Sequence, residues 1–149
     1  MIELVIDTNI FIHAENENYE YQDDCILLLN TIIESDDIFV CIDENGKIWN
    51  EYSLHIKPGM LANAMFLKLG TERLKLLPRN IHAHINKKIN QTGIKEADRI
   101  FVRIAYKTQD KILVSDEHED FVNKIREIIK KEIGVDVIMA NECAAFGIL

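Results

Sequence analysis

The sequence predicts an α/β protein, a three-layer α/β/α sandwich around a central parallel sheet. Three observations lead there. Four short apolar runs, LVI at 4–6, IFVCI at 38–42, ILVS at 112–115 and VDVIM at 135–139, resemble strands buried on both faces. The segments between them carry apolar residues at helical spacing. Strands and helices alternate along the chain, the pattern of helices packed on both faces of one sheet. No internal repeat or low-complexity segment interrupts the pattern, and 149 residues suit a single domain spanning 1–149.

Taken in order, the first strand ends at Asp7, followed by Thr8 and Asn9. Residues 13–21 hold few aliphatic side chains and read as a surface turn or irregular helix. From Asp23 to Ser35, Cys25, Leu28, Leu29, Ile32 and Ile33 share one side of a helix, with Asp23 and Asp24 favourable at its start. The strand at 38–42 leads into the turn-rich DENGK, then a helix over Ile48–Ile56 that Pro58 and Gly59 stop. Met60–Leu69 is helical; Gly70 and Thr71 end it and cap a further short helical segment closed by Pro78. In 79–94, Ile81, Ile85 and Ile89 recur every four residues and favour a helix, against the asparagines and Gly93. Residues 95–107 carry a clear stripe of Ala97, Ile100, Phe101, Ile104 and Ala105. The strand at 112–115 again ends in an acid, Asp116. A last helix runs from Glu119 to Ile133, with Phe121 and Val122 inward and Gly134 as its stop, before the closing strand.

Composition excludes several classes. No apolar stretch approaches the roughly 18 residues of a membrane span, and no basic segment precedes an apolar one at the start, so the expectation is a cytoplasmic protein without a signal peptide. Cys25, Cys41 and Cys143 lie far apart with no CxxC pair, which favours reduced, buried thiols over zinc or disulfides. The net charge of −8 conceals segregation. Residues 1–54 hold one base against thirteen acids, 55–111 twelve bases against four acids, and 112–149 four against eight. The basic middle, with Lys57, Lys68, Arg73, Lys75, Arg79, Lys87, Lys88 and Lys95, suits either a phosphate-binding face or ordinary solvated helix faces.

In open parallel sheets, ligands bind outside the carboxyl ends of the strands. Asp7 and Asp116 both stand there, and if their strands are neighbours their carboxylates converge. An aspartate after a strand also serves as a helix cap, so Asp7 alone leaves two readings open. Asp98 lies in the first turn of its helix and shares a side with Phe101, Val102 and Ala105; Glu51 shares a face with Leu54 and His55. Asp98 would equally serve the helix dipole. Four acids held close and ionised need a cation. All-oxygen ligands suit Mg²⁺, with Mn²⁺ as substitute. Such a site points to hydrolysis of a phosphodiester.

VIDTNIFI at the start, IWNEY around Glu51, EADRIFVRIA around Asp98 and LVSDEHEDF around Asp116 together resemble the PIN-domain nucleases, over essentially the whole chain. The resemblance implies a Mg²⁺- or Mn²⁺-dependent endoribonuclease with Asp7, Glu51, Asp98 and Asp116 as catalytic metal ligands, supported by Thr8 or Asn9 and by Ser115. RNA rather than DNA as substrate rests on the resemblance alone. Many such nucleases are toxins of toxin–antitoxin pairs, which implies an antitoxin protein as partner. Two departures stand out. Where the family often shows T-x-D-x-D-F, this chain has Ser115, Asp116, Glu117, His118, Glu119, Asp120 and Phe121. Spacing from Ser115 allows Glu117 as the alternative, and Asp120 suits a cap for the last helix; Asp116 is favoured because it directly ends the strand. Residues 55–94 also exceed the central stretch of compact toxin relatives.

Other readings compete. A non-catalytic RNA- or protein-binding module on the same scaffold would be favoured by a missing acid, and none is missing. An aspartyl phosphatase or phospho-accepting switch also places an aspartate after the first strand; Asn9 breaks the D-x-D start that a phosphatase would show. His55, His82, His84 and His118 are read as outside the site. Trp49 and Tyr52 are candidates for base stacking or for the core. If the chain self-associates, a two-fold homodimer is the commonest form.

Overall fold

A computed structural model describes all of residues 1–149. Its strands are β1 (Ile2–Ile6), β2 (Ile38–Asp43), β3 (Leu74–Leu77), β4 (Ile112–Val114) and β5 (Asp136–Ile138). They form one parallel sheet in the order β3-β2-β1-β4-β5. β1 is central, pairing Leu4 with Val40 on one side and with Ile112 on the other. Its Leu4, Val5 and Ile6 are wholly buried, each contributing roughly 1.5–3 kcal/mol of apolar burial.

The helices are α1 (Thr8–Ala14), α2 (Gln22–Glu34), α3 (Lys47–His55), α4 (Leu61–Leu69), α5 (Ala83–Asn90), α6 (Glu96–Lys107) and α7 (Asn123–Ile133), followed by a 3₁₀ helix at Ala140–Phe146. α1, α2 and α4 pack on one another, α5 packs on α6 and α7, and α3 meets both α1 and α6, so two helical layers enclose the sheet. This is the expected α/β/α sandwich. The chain winds outward from β1 to β3, then crosses back to β4. The carboxyl ends of β1 and β4 are therefore the topological switch point, where open sheets bind ligands. No helix is long and apolar enough to cross a membrane.

Two expectations fail. Residues 74–77, expected in a helical segment, form β3, because pairing with β2 from Val40–Leu74 to Asp43–Leu77 satisfies backbone groups that four residues of helix would leave open. The last helix starts at Asn123 instead of Glu119, because the Glu117 carboxylate accepts the N–H groups of Glu119 (2.7 Å), Asp120 (2.6 Å) and Phe121 (3.3 Å) and holds them in a turn. Phe121 is buried as expected, but Val122 is exposed. α1 also begins directly at Thr8, earlier than the irregular stretch expected at 13–21.

Two contacts fix α3, and with it Glu51, against the end of β1. Tyr52 is wholly buried; its hydroxyl donates to the Ile6 carbonyl, and its ring meets Phe11 edge-on at 4.9 Å between centroids. Tyr52 therefore belongs to the core, while Trp49 at its edge stays 41% exposed. Tyr52→Phe keeps the packing and strands one carbonyl. The expected result in urea unfolding is a loss of roughly 1–2 kcal/mol; an unchanged midpoint would show that this bond does not hold α3.

Candidate metal centre

Asp7 leaves β1 with extended backbone and is buried, yet its side chain does not cap α1. Ser115, immediately after β4, donates its hydroxyl to Asp7 Oδ2 at 2.8 Å. Asn9 bridges the two strand ends: its amide nitrogen lies 3.4 Å from both Asp7 Oδ2 and Ser115 Oγ, and its Oδ1 accepts the Asp116 N–H at 3.1 Å. The Asp-Thr-Asn sequence thus joins β1 to β4 at the switch point. Burial pushes the Asp7 carboxyl up to about 6, against the Ser115 and Thr8 hydrogen bonds that lower it, and the charges of Glu117 and Glu51 add to the rise.

Asp98, Glu117 and Asp120 present carboxylate oxygens that all lie within 4.8 Å of one another. Burial raises Asp98 to about 8, reinforced by a hydrogen bond shared with Asp120 and by the charges of Asp7, Asp120 and Glu117. That shared bond holds Asp120 below the usual carboxylate range. Asp120 also accepts the Lys95 N–H at 2.9 Å, fastening the start of α6 to the group. Arg126 secures the loop from beneath, donating to the carbonyls of Ser115 (2.9 Å), Glu117 (3.4 Å), Phe121 (2.5 Å) and Val137 (3.1 Å). None of Asp7, Asp98, Glu117 or Asp120 forms an ion pair.

Of the four acids singled out in the sequence, Asp7, Glu51 and Asp98 face a common electrostatic environment, with Glu51 half-exposed and 3.8 Å from His55 Nε2. Asp116 faces elsewhere. Its Oδ2 accepts the Tyr19 hydroxyl at 2.6 Å and lies 3.6 Å from Cys25 Sγ, while its Oδ1 accepts the Ala140 N–H at 2.8 Å. Asp116, expected as the fourth ligand, is thus bonded to Tyr19 and to the 3₁₀ helix and lies close to α2. Glu117 and Asp120 stand with Asp98 instead. Asp120 was readable only as a helix cap, and Arg126 carried no signal beyond one base in an amphipathic helix. The three cysteines are buried free thiols.

The group fits a hard divalent cation. Its donors are all oxygen, without cysteine or histidine, and the Thr8 hydroxyl beside Asp7 in the chain is buried with no partner. Asp7, Asp98, Glu117 and Asp120, with Glu51 at the rim, are the residues that would hold it.

No protein-family model and no curated protein matches the chain. Among solved structures, its fold is similar to that of a chain in the crystal structure of VapBC2 from Rickettsia felis bound to a DNA fragment from their promoter, at 13% sequence identity and a TM-score of 0.51. The match covers 93% of this chain and 98% of that one. The likeness is one of fold, and it agrees with the α/β architecture read from the sequence.

Raised carboxyls make stability depend on pH. Asp7 and Asp98 bind protons in the folded state that the unfolded chain has already released, so metal-free stability falls as pH rises from about 4 through about 6 and on towards about 8. Asp7→Asn removes one source of that loss. Without metal at about pH 8 the variant is expected to be more stable than the parent by on the order of 2–3 kcal/mol, the gap closing towards pH 4. Urea unfolding at both pH values checks this, and a less stable variant at the higher pH would contradict it.

Proposed function

We propose that the protein is a Mg²⁺- or Mn²⁺-dependent endoribonuclease that hydrolyses RNA phosphodiester bonds. The observation that carries this reading is the carboxylate group at the switch point, which is gathered within one small volume and has no ion pair. Like charges gathered without compensation favour a cation, and a cation held by carboxylates at a sheet's open edge suits phosphate chemistry. A bound divalent ion supplies charge neutralisation at the phosphodiester and acidifies water for in-line attack.

The chain's own residues then divide the work. Asp7, Asp98, Glu117 and Asp120 bind the ion, and Glu51 completes the rim. Ser115 and Asn9 orient Asp7 through their hydrogen bonds. Arg126 keeps the Glu117–Asp120 turn in register by its four carbonyl contacts. Asp116 acts at one remove, holding Tyr19 and Ala140 so that Ser115 stays aligned. The resemblance to PIN-domain nucleases and the fold likeness to VapBC2 support the same reading. They also favour a toxin-type or RNA-processing role with an antitoxin protein as partner. Leu27 on α2 and Leu67 on α4, 52% and 77% exposed on two helices that pack together, offer apolar contact for such a partner or for a homodimer.

Cleavage of a labelled structured RNA with Mg²⁺ or Mn²⁺ tests the proposal. Asp7→Asn and Asp98→Asn are each expected to lower the rate by about 100-fold or more, the scale of losing transition-state charge stabilisation. Equal rates for parent and Asp7→Asn, or cleavage undiminished by chelator, would remove the mechanism. Glu117→Gln keeps one of the two acceptor oxygens that hold the turn and loses a charge, and is expected to cut the rate at least about tenfold. Asp116→Asn is expected to lower the melting temperature while keeping a rate closer to the parent's. The reverse order would restore Asp116 as the ligand.

A further inference from the structure

Along the same carboxyl edge lies an open cleft of about 590 Å³ between the ends of β2 and β3 and the helices α5 and α6. Its lining includes the polar side chains of Arg79, Arg103, Asn45, Asn80, Asn86 and Glu44. The volume falls within the range of small-molecule sites. Neighbouring strands lie about 5 Å apart, so the ends of β2 and β3 stand roughly 5 and 10 Å from that of β1, where Asp7 sits.

Arg103 is aimed rather than merely exposed. Asn86 Oδ1 accepts its Nε–H at 2.8 Å and Asn90 Oδ1 its Nη2–H at 3.0 Å, so neutral carbonyls fix the plane of the guanidinium. Neither Arg79 nor Arg103 has a carboxylate partner. Burial, and then the like charge of Arg99, lower the Arg103 pKa, with Glu96 opposing and Arg79 adding to the fall. Two other bases of the middle segment are committed elsewhere. Arg73 is buried, donating to the carbonyls of Ile32 and Ile38, and Lys75 pairs with the buried Glu3.

We propose that this cleft is the subsite for one nucleotide of single-stranded RNA next to the scissile phosphodiester, its phosphate held by Arg79 and Arg103. A preoriented guanidinium fork matches phosphate oxygens. Glu44 repels a second phosphate and accepts from the amino group of a base, so the unit enters with its base towards Glu44 and the asparagine amides. The assignment rests on the ribonuclease reading for its substrate, but binding tests it separately from cleavage.

The test measures fluorescence anisotropy of a labelled single-stranded RNA about 12 nucleotides long, in metal-free buffer, with the full chain carrying Asp7→Asn to prevent cleavage. Adding Arg79→Ala and Arg103→Ala is expected to weaken binding at least about tenfold and to shrink the salt slope by about 0.7, one phosphate contact on a single strand. Lys130→Ala with Lys131→Ala, at the cleft by α7, removes the same charge and is expected to change neither. Arg79 lies on an exposed loop, so Arg79→Ala alone keeps the test valid if the Arg103 variant unfolds, with a weakening of about threefold expected. Binding insensitive to the arginines, equally sensitive to the two lysines, or absent from the parent would overturn the subsite. Arginine-dependent binding by a parent that cleaves no RNA with metal would instead overturn the ribonuclease reading and leave the subsite standing.

Discussion

The structure depends on a crowding of negative charge that the sheet makes unavoidable. β1 and β4 are neighbours, both point the same way, and the loop after β4 returns towards the first turn of α6. Asp7, Asp98, Glu117 and Asp120 are brought together by elements that are themselves fixed by apolar burial. Protons relieve the crowding in the absence of another cation, as the raised carboxyls of Asp7 and Asp98 show. A divalent ion relieves it more completely, at the cost of releasing those protons.

Strand-end aspartates are not equivalent, and hydrogen bonds separate them. Asp43 ends β2, but its two oxygens accept the N–H groups of Lys47 (2.9 Å) and Ile48 (2.7 Å) and serve the first turn of α3. Asp116 follows β4, and Tyr19 and Ala140 occupy its oxygens. Asp7 is steadied mainly through one oxygen, by Ser115 and Asn9. Asp43 and Asp116 each have both oxygens bonded, while Asp7 faces its neighbours' charge.

The layered fold was legible because buried strands and amphipathic helices leave opposite periodicities, and β1, β2, α2 and α6 carry those patterns cleanly. β3 was not: Leu74–Leu77 is too short for periodicity, and only its pairing with β2 makes it a strand. Asp7, Glu51 and Asp98 were legible as acids on or after regular elements. The fourth position was not, since Asp116, Glu117, Glu119 and Asp120 lie within one turn whose direction is set by distant groups, Arg126 and Ala140 among them. The basic middle was legible as charge but not as a surface. Its members differ in whether a carbonyl, a carboxylate or nothing answers them.

A parallel sheet gathers acids at its switch point, in an arrangement that a divalent cation would complete. Calorimetric titration of the full chain with Mn²⁺ at pH 7, in two buffers of different ionisation enthalpy, tests it most directly. The account predicts saturable binding with a buffer-dependent heat corresponding to release of about one proton per ion. Absence of binding, or binding with the same heat in both buffers, would contradict it.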